Sequence, residues 1–195
     1  MASLPSIKAT FSGRNILLHN GQTADPRNAY SKALKVISGK RKKTDADYEQ
    51  MAKLEWMAGV YISQQRFVLP VHVIESAVIA GAKKSKNGVQ AKCGLFFEDD
   101  ALLTFDGCPE GPITDQVLGE LFDGGRHVLT IGVKVGMSRV MRTRPLLRNW
   151  QARVEFQYDP DVLNEREILP ILEDAGRLVG LCDWRPKYGR FEVTI

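Results

Sequence analysis

The segment "QARVEFQYDPDVLNEREILPILEDAGRLVG", residues 151–180, contains a strand pattern followed directly by a helix pattern. Apolar and polar residues alternate from Ala152 to Tyr158, which is typical of a strand with one buried face. From Asn164 onward apolar residues recur at helical spacing, although Pro170 must kink this helix or mark its start. Because "RFEVTI", residues 190–195, alternates again, the segment is predicted as strand, helix, loop, strand.

This order is half of a ferredoxin-like unit, in which helices cover one face of an antiparallel sheet. Further alternating patterns predict strands at Ile7–Phe11 and Leu129–Val135. Thr44, which can cap a helix, and Pro70, which suits a first helical turn, predict two earlier helices. An earlier strand, helix, strand series could therefore supply the other half of the unit.

The predicted fold class is α+β, with a ferredoxin-like (RRM-like) antiparallel sheet, helices on one face and inserted loops. We expect residues 1–195 to form a single domain, because the length suits one domain of ordinary size. Two segments are left over from the sheet and helices. They predict insertions at about residues 20–45 and 98–125.

The composition is that of a globular protein, with 44% hydrophobic residues. The sequence has no apolar run long enough to span a bilayer, and its first residues, "MASLPSIKATF", lack the apolar core of a secretion signal. We therefore expect a cytoplasmic protein without a membrane partner. Cys93, Cys108 and Cys182 are too scattered for a disulfide framework or a zinc site, so they are expected to be reduced and structural.

The net charge is only +4, but it is unevenly distributed along the chain. Residues Cys93–Gly125 include eight acidic residues and no basic one, whereas Gly132–Trp150 includes five basic residues and no acidic one. The acidic segment is interpreted either as a docking surface for another copy of the protein or as a simple loop. The basic segment predicts a polyanionic partner.

A folded sheet could bring several basic segments together into one positive surface. Phosphates would bind to such a surface, and the nearby aromatic side chains would stack on unpaired bases, which favours a single strand over a duplex. The predicted nucleic-acid-binding residues are Lys40, Arg41, Lys42, Lys43, Lys83, Lys84, Lys86, Arg139, Arg142, Arg144, Arg148, Trp184, Arg185, Lys187, Tyr188 and Arg190. The alternative for each basic run is an ordinary solvated face.

The sequence contains no arrangement that indicates catalysis. Its three histidines are isolated, and it has no recognisable metalloprotease, esterase or zinc motif. The pairs Asp99/Asp100 and Asp159/Asp161 could hold Mg²⁺, but acidic residues are commoner in turns. We therefore expect no enzyme, no catalytic residues, no metal and no cofactor, with a metal-dependent nuclease as the least favoured alternative.

Several segments resemble the RAMP superfamily, the ferredoxin-like backbone subunits of CRISPR effector complexes. "FVLPVHVIESAVIAGAKKSKNG" is similar to the strand, proline and basic-ended helix of that family, and "RNILLHNGQ" is similar to its first strand and loop. "MRTRPLLRNWQARVEF" and "GLCDWRPKYGRFEV" resemble its later loop and closing half-domain. The chain thus looks like a diverged relative from a phage or another mobile element.

The resemblance implies a protein that binds single-stranded RNA, with copies stacked into a filament by inserted loops. It also implies that Lys83, Lys84 and Lys86 contact the backbone of the ligand, and that Arg139, Arg142 and Arg144 lie in a basic loop. The resulting hypothesis is a homo-oligomer that assembles side by side on single-stranded DNA or RNA, using residues 98–123 to contact the next subunit. The alternative is an interaction or inhibitor protein that mimics a RAMP subunit, or a virion component, without nucleic-acid binding.

Overall fold

A computed structural model describes residues 4–195. These residues have an α+β fold, with an open antiparallel sheet of eight strands and six α-helices. The α+β class is therefore confirmed, while the ferredoxin-like strand order stays a prediction. The strands are β1 Ser6–Leu17, β2 Ile62–Ser63, β3 Arg66–Leu69, β4 Leu95–Phe96, β5 Ala101–Thr104, β6 Val128–Val135, β7 Ser138–Tyr158 and β8 Glu192–Thr194. The helices are α1 Ala29–Ser38, α2 Asp45–Gly59, α3 Val71–Ala82, α4 Gly88–Gly94, α5 Asp115–Asp123 and α6 Glu165–Asp174, with a 3₁₀ turn at Gln22–Ala24 and a π turn at Ala175–Val179.

The chain divides into two compact units. Unit 1 comprises the residues up to Leu17 together with Ile62–Cys108 and Leu147–Ile195, and unit 2 comprises Leu18–Tyr61 and Pro109–Leu146. The first predicted insertion lies wholly in unit 2, whereas the second is divided between the units. Both insertions contain helices, α1 and α5, which were not predicted. The single-domain organisation stays a prediction.

Unit 1 is built on most of the sheet, in the strand order β2-β3-β5-β7-β1-β8, with β4 also paired to β7. Strand β8 pairs antiparallel with β1, with Phe11 opposite Val193, and β5 pairs with β7, with Leu103 opposite Ala152. Phe11 stacks on Phe191 with 4.5 Å between ring centroids. The alternation that predicted strands near both ends of the sequence thus corresponds to neighbouring strands of one sheet.

Helices α3 and α6 pack against each other in unit 1. A Cβ on Gly81 of α3 would lie 2.6 Å from the backbone nitrogen of Ala175, so only glycine permits this close approach. Asn164 and Glu167 form a capping box that fixes the start of α6, and Pro170 lies inside the helix. The proline therefore does not mark the start, because the cap and the buried Ile168, Ile171 and Leu172 stabilise the helix on both sides of it.

Unit 2 contains α1, α2, α5 and a hairpin formed by β6 and the first half of β7. Trp56 of α2 is fully buried, packs edge-on against Phe122, and donates from Nε1 to the His127 carbonyl oxygen at 2.8 Å. The helix predicted after Thr44 is confirmed, because the Thr44 and Asp47 side chains form a capping box there. Trp56 thus joins α2 to the segment that leads into β6.

The prediction of a basic loop around Arg139, Arg142 and Arg144 is wrong. These residues lie in β7, a strand of 21 residues. The first part of β7 pairs with the whole length of β6, from Val135 opposite Ser138 to Val128 opposite Pro145. Side chains continue to alternate between the two faces of the strand through these arginines. Gly136 has φ 60, and this positive φ permits the tight turn between β6 and β7.

Candidate functional site

The strongest candidate site is an aromatic pair, the exposed Trp184 and the half-buried Tyr188, in the segment Leu181–Gly189 of unit 1, which we call the aromatic loop. Trp184 is 45% exposed, and its ring stacks on that of Tyr188 with 6.1 Å between centroids and 20° between planes. Lys187 Nζ lies 5.3 Å from the Trp184 ring centroid and 5.7 Å from that of Tyr188. Two parallel aromatic faces with one ammonium group could hold an unstacked base and its phosphate.

Backbone hydrogen bonds anchor the aromatic loop at both ends. Leu181 N–H donates to the Gly189 carbonyl at 2.8 Å, which closes the loop. Asp183 N–H and Gly189 N–H donate to the carbonyls of Leu17 and Asn15 in β1. Gly189 has φ 77, and a Cβ there would lie 1.9 Å from the Leu181 carbonyl oxygen, so the closure requires glycine.

Two cations of the aromatic loop and the arginine that follows it face solvent. Arg185, Lys187 and Arg190 are exposed, and among residues 4–195 none of the three forms an ion pair with a carboxylate. Arg190 also lines a cleft of about 1020 Å³, together with Arg14 and Arg177. This cleft contains Glu173, Asp174 and Glu192 as well, so its formal charge is balanced. Arg185, Lys187 and Arg190, three of the predicted binding residues, are thus exposed cations within six residues of sequence.

A second cationic surface in unit 1 lies where α3 ends and α4 begins. Lys83, Lys86 and Lys92 line a groove of about 910 Å³ that has no carboxylate in its wall. Ile79 and the exposed Val89 add apolar surface to the same groove. Lys84 is exposed but does not line it. The sequence placed Lys92 in the same basic segment as Lys83 and Lys86 without including it among the predicted binding residues, and α4 brings it to the same groove.

The basic run Lys40–Lys43 lies between α1 and α2 in unit 2. Lys40 Nζ donates to Asp47 Oδ1 at 2.6 Å, and Lys43 Nζ donates to the Lys40 carbonyl at 3.1 Å. The hydrogen bond from Lys40, with that from the Thr44 backbone N–H, lowers the pKa of Asp47 from 3.8 to about 2. Lys40 therefore stabilises the start of α2, while Arg41 and Lys42 are exposed.

The four predicted arginines of β7 do not form one surface. In the hairpin register Arg142 is opposite Ile131 and Arg144 is opposite Leu129, whereas Arg139 is opposite Lys134. Side chains alternate between faces along a strand, so Arg139 lies on the face opposite that of Arg142 and Arg144. Arg142 forms an ion pair with Glu55 of α2. Arg148 is exposed and belongs to the part of β7 in unit 1.

Several acidic residues of the segment 98–123 have partners inside the molecule. Asp100 Oδ1 accepts from Val71 N–H at the start of α3, and Asp106 accepts from Asn149. Both carboxylate oxygens of Asp123 accept from Lys53, at 2.8 and 2.9 Å. Asp159, from the other pair considered for Mg²⁺, accepts from the backbone N–H of Asp161 in a turn. These carboxylates have structural roles in caps, turns and ion pairs.

No known family or curated protein matches this chain. No protein-family model matches it, and no curated protein sequence is significantly similar to it.

Within residues 4–195, no three His, Cys, Asp or Glu side chains come together in a way that could hold a metal ion. None of the helices in that range has the length and apolar character needed to cross a membrane.

Proposed function

We propose that this protein binds single-stranded DNA or RNA and assembles side by side along it, without catalysing a reaction on it. The observation that carries the proposal is the stack of the exposed Trp184 on Tyr188, with Lys187 beside both rings. Aromatic faces of this kind bind bases of any sequence, because every base has a flat π surface, and a base inside a duplex cannot reach them.

The phosphate contacts are assigned to the cations of unit 1 that lack a carboxylate partner. Arg185 and Arg190 flank the aromatic pair in sequence, and Lys83, Lys86 and Lys92 line the groove between α3 and α4. Arginine offers a planar donor fork to phosphate, and lysine offers a point charge. We do not assign Lys40 and Arg142 to phosphate contacts, because each is held by its own carboxylate.

Contacts between copies are assigned to the tip of the β6–β7 hairpin. Met137 and Met141 are exposed there, and Lys134 and Arg139 form a cationic cross-strand pair beside them. This combination of apolar and basic side chains suits an acidic protein surface. The part of the segment 98–123 that lies in unit 1 offers two exposed carboxylates of this kind, Glu98 and Asp99.

The experiment is a titration of fluorescently labelled oligonucleotides of increasing length, read by anisotropy, with electron microscopy of the longest complexes. We expect affinity for single strands to rise with length, duplexes to bind more weakly, and linear assemblies to form. Trp184→Ala should weaken binding and Trp184→Phe should largely restore it, because phenylalanine keeps an aromatic face. Equal affinity for single strands and duplexes, or no dependence on Trp184, would overturn the proposal.

Catalysis is tested in the same samples. Incubation of the oligonucleotides with the protein and Mg²⁺ should leave their length unchanged on a denaturing gel. Cleavage that disappears in Asp99→Asn or Asp159→Asn would replace the binding function with that of a nuclease.

A further inference from the structure

Strand β6 in unit 2 has one edge that no other strand covers. Among the strands of residues 4–195, β6 pairs with β7 alone, although all of residues 128–135 are in strand conformation. An uncovered edge presents unpaired N–H and C=O groups, which can pair with a strand of another molecule. The register of the hairpin shows which residues present these groups.

The hydrogen bonds around the hairpin identify the backbone groups that point away from β7. In an antiparallel pair, facing residues alternate between pairs that exchange both hydrogen bonds and pairs that exchange none. Thr143 N–H donates to Glu55 Oε2 at 3.0 Å, outside the hairpin, so Thr143 and the facing Thr130 form a pair of the second kind. By alternation, Thr130, Gly132 and Lys134 all direct their N–H and C=O groups to the outer edge of β6.

Neighbouring contacts agree with this alternation and limit the open part of the edge. Leu146 N–H donates to the His127 carbonyl at 2.9 Å, so the adjacent pair of Val128 and Pro145 is of the kind without hydrogen bonds. Pro145 has no N–H to contribute, and Val128 N–H donates at 3.4 Å to a carbonyl of the preceding turn. The edge is therefore engaged at Val128 and open at residues 130–134.

The open part of the edge is accessible to a further strand. Thr130, Gly132 and Lys134 are exposed, and within residues 4–195 no hydrogen bond from outside the hairpin engages their backbone groups. Natural proteins protect free edges with prolines, bulges and charged side chains. Strand β6 contains no proline, its register with β7 is continuous, and Lys134 is its one charged residue.

We propose that β6 pairs antiparallel with β6 of a second copy of this chain, about a two-fold axis at Gly132, so that the two hairpins form one continuous sheet. Gly132 then faces Gly132 of the second copy, Thr130 faces Lys134, and each of these pairs exchanges both hydrogen bonds. Because the axis relates two identical edges, every outward donor on one copy meets an acceptor on the other.

Charge and side-chain packing favour a second copy in this register. Antiparallel pairing places the two Lys134 side chains at opposite ends of the contact, each opposite Thr130, so like charges do not meet. On the other face, Ile131 lies opposite Val133 of the second copy, and both residues are half-buried in the single chain. Pairs of β-branched side chains across strands stabilise a sheet.

This contact goes beyond the proposed function, because it uses backbone groups of β6 and needs no nucleic acid. Sedimentation velocity of the full chain alone, over a range of concentrations, therefore tests it. An edge of this length buries less than the roughly 1,200 Å² of a standard interface, so we expect a dimer that dissociates on dilution, with a Kd on the order of 100 μM. A monomer at every concentration up to about 1 mM would overturn the proposal.

A proline at the centre of the contact tests the edge. Gly132→Pro removes an outward N–H but no hydrogen bond within the hairpin, and edge positions of this kind tolerate proline. It should weaken dimerisation by about tenfold or more. Met141→Pro, at the facing position of β7, is the matched control, because its N–H points to the opposite edge, and it should dimerise as the unaltered protein does. Unchanged dimerisation of Gly132→Pro, or a loss confined to Met141→Pro, contradicts the pairing.

A pair of charged variants tests the register without any proline. Thr130→Glu and Thr130→Lys both lose the hydroxyl contact with Thr143 and differ in the charge placed opposite Lys134 of the second copy. We expect Thr130→Glu to dimerise about threefold or more tightly than Thr130→Lys, because opposite charges across strands attract. In a Lys134→Glu background the order should reverse. Equal dimerisation of the two variants, or an order that does not reverse, would overturn the proposal.

Discussion

The aromatic loop of unit 1 and the β6–β7 hairpin of unit 2 both carry exposed or half-exposed cations, but they differ in whether those cations have carboxylate partners. In the aromatic loop, Arg185 and Lys187 are exposed and have no carboxylate partner within residues 4–195. In the hairpin, Arg142 forms an ion pair with Glu55, a residue 87 positions away in the sequence. A cation in the aromatic loop is therefore available to a ligand, whereas Arg142 also stabilises the fold.

The difference shows that a count of charges along the sequence does not measure the charge available at the surface. The segment Gly132–Trp150 contains no acidic residue, yet the strand it forms lies against an acidic side chain of α2. Conversely, within residues 4–195 none of Arg185, Lys187 and Arg190 forms an ion pair with a carboxylate.

The largest expected effect comes from removing both aromatic rings. The double variant Trp184→Ala/Tyr188→Ala should bind single strands about tenfold to a hundredfold more weakly, because stacking contributes about 1–3 kcal/mol per base. Anisotropy titrations at fixed salt measure the change, with circular dichroism to verify folding. An unchanged affinity would remove the aromatic loop from the interface.

The next effect concerns stability rather than binding. Glu55→Ala should lower the free energy of unfolding by roughly 1.5–3 kcal/mol, because it removes a charge-assisted hydrogen bond and leaves Thr143 N–H without its acceptor. Urea unfolding measures this loss. Glu49→Ala on the same helix is exposed and should change stability little. Equal effects of the two variants would contradict a structural role for the Glu55–Arg142 pair.

A smaller effect is expected in the salt dependence of binding. Lys83→Ala and Lys86→Ala should each reduce the slope of log affinity against log salt by about 0.7, the value for one phosphate contact on a single strand. Lys40→Ala should leave the slope unchanged, since Lys40 is held by Asp47. A slope that falls in Lys40→Ala and not in the other two would reverse the assignment of the two basic runs.

The smallest effect is a pH dependence of stability from Asp47. Its folded-state pKa of about 2 lies below the ordinary 3.8, so its contribution is complete above about pH 4 and is lost as the pH falls toward 2. Thermal melts of the protein and of Asp47→Asn should therefore converge between pH 4 and pH 2. If the melting temperatures of the two proteins differ by the same amount at every pH in that range, ionised Asp47 does not contribute to the stability of the fold.

Local patterns predicted part of the fold well. The Thr44 cap identified the start of α2, and the helical spacing of apolar residues from Asn164 onward identified the start of α6, because both signals come from residues that are close in sequence. Helix α1 was missed, although Asn28 caps it through Tyr30 N–H at 2.8 Å, because its segment was interpreted as an insertion. Its Asn28 cap and the apolar residues that follow are a signal that could have revealed it.

The candidate site could be predicted from the sequence only where its residues are close together along the chain. Trp184, Lys187 and Tyr188 lie within five residues of sequence, so their association could be expected from the sequence alone. Lys35 was not selected, because the pocket that it lines in unit 2 forms only when separate elements pack together. The pairing of Arg142 with Glu55 could not be expected, because no local rule relates two such distant positions.

The sequence by itself determined the α+β class, the Thr44 cap of α2 and the existence of an aromatic and basic segment near residue 184. These features depend on interactions between residues that are close along the chain, or on periodicity within one element. The tertiary structure decided which cations have carboxylate partners, and on which face of β7 each arginine lies. Those outcomes depend on contacts between distant segments, because the charge that a ligand meets depends on distances in space.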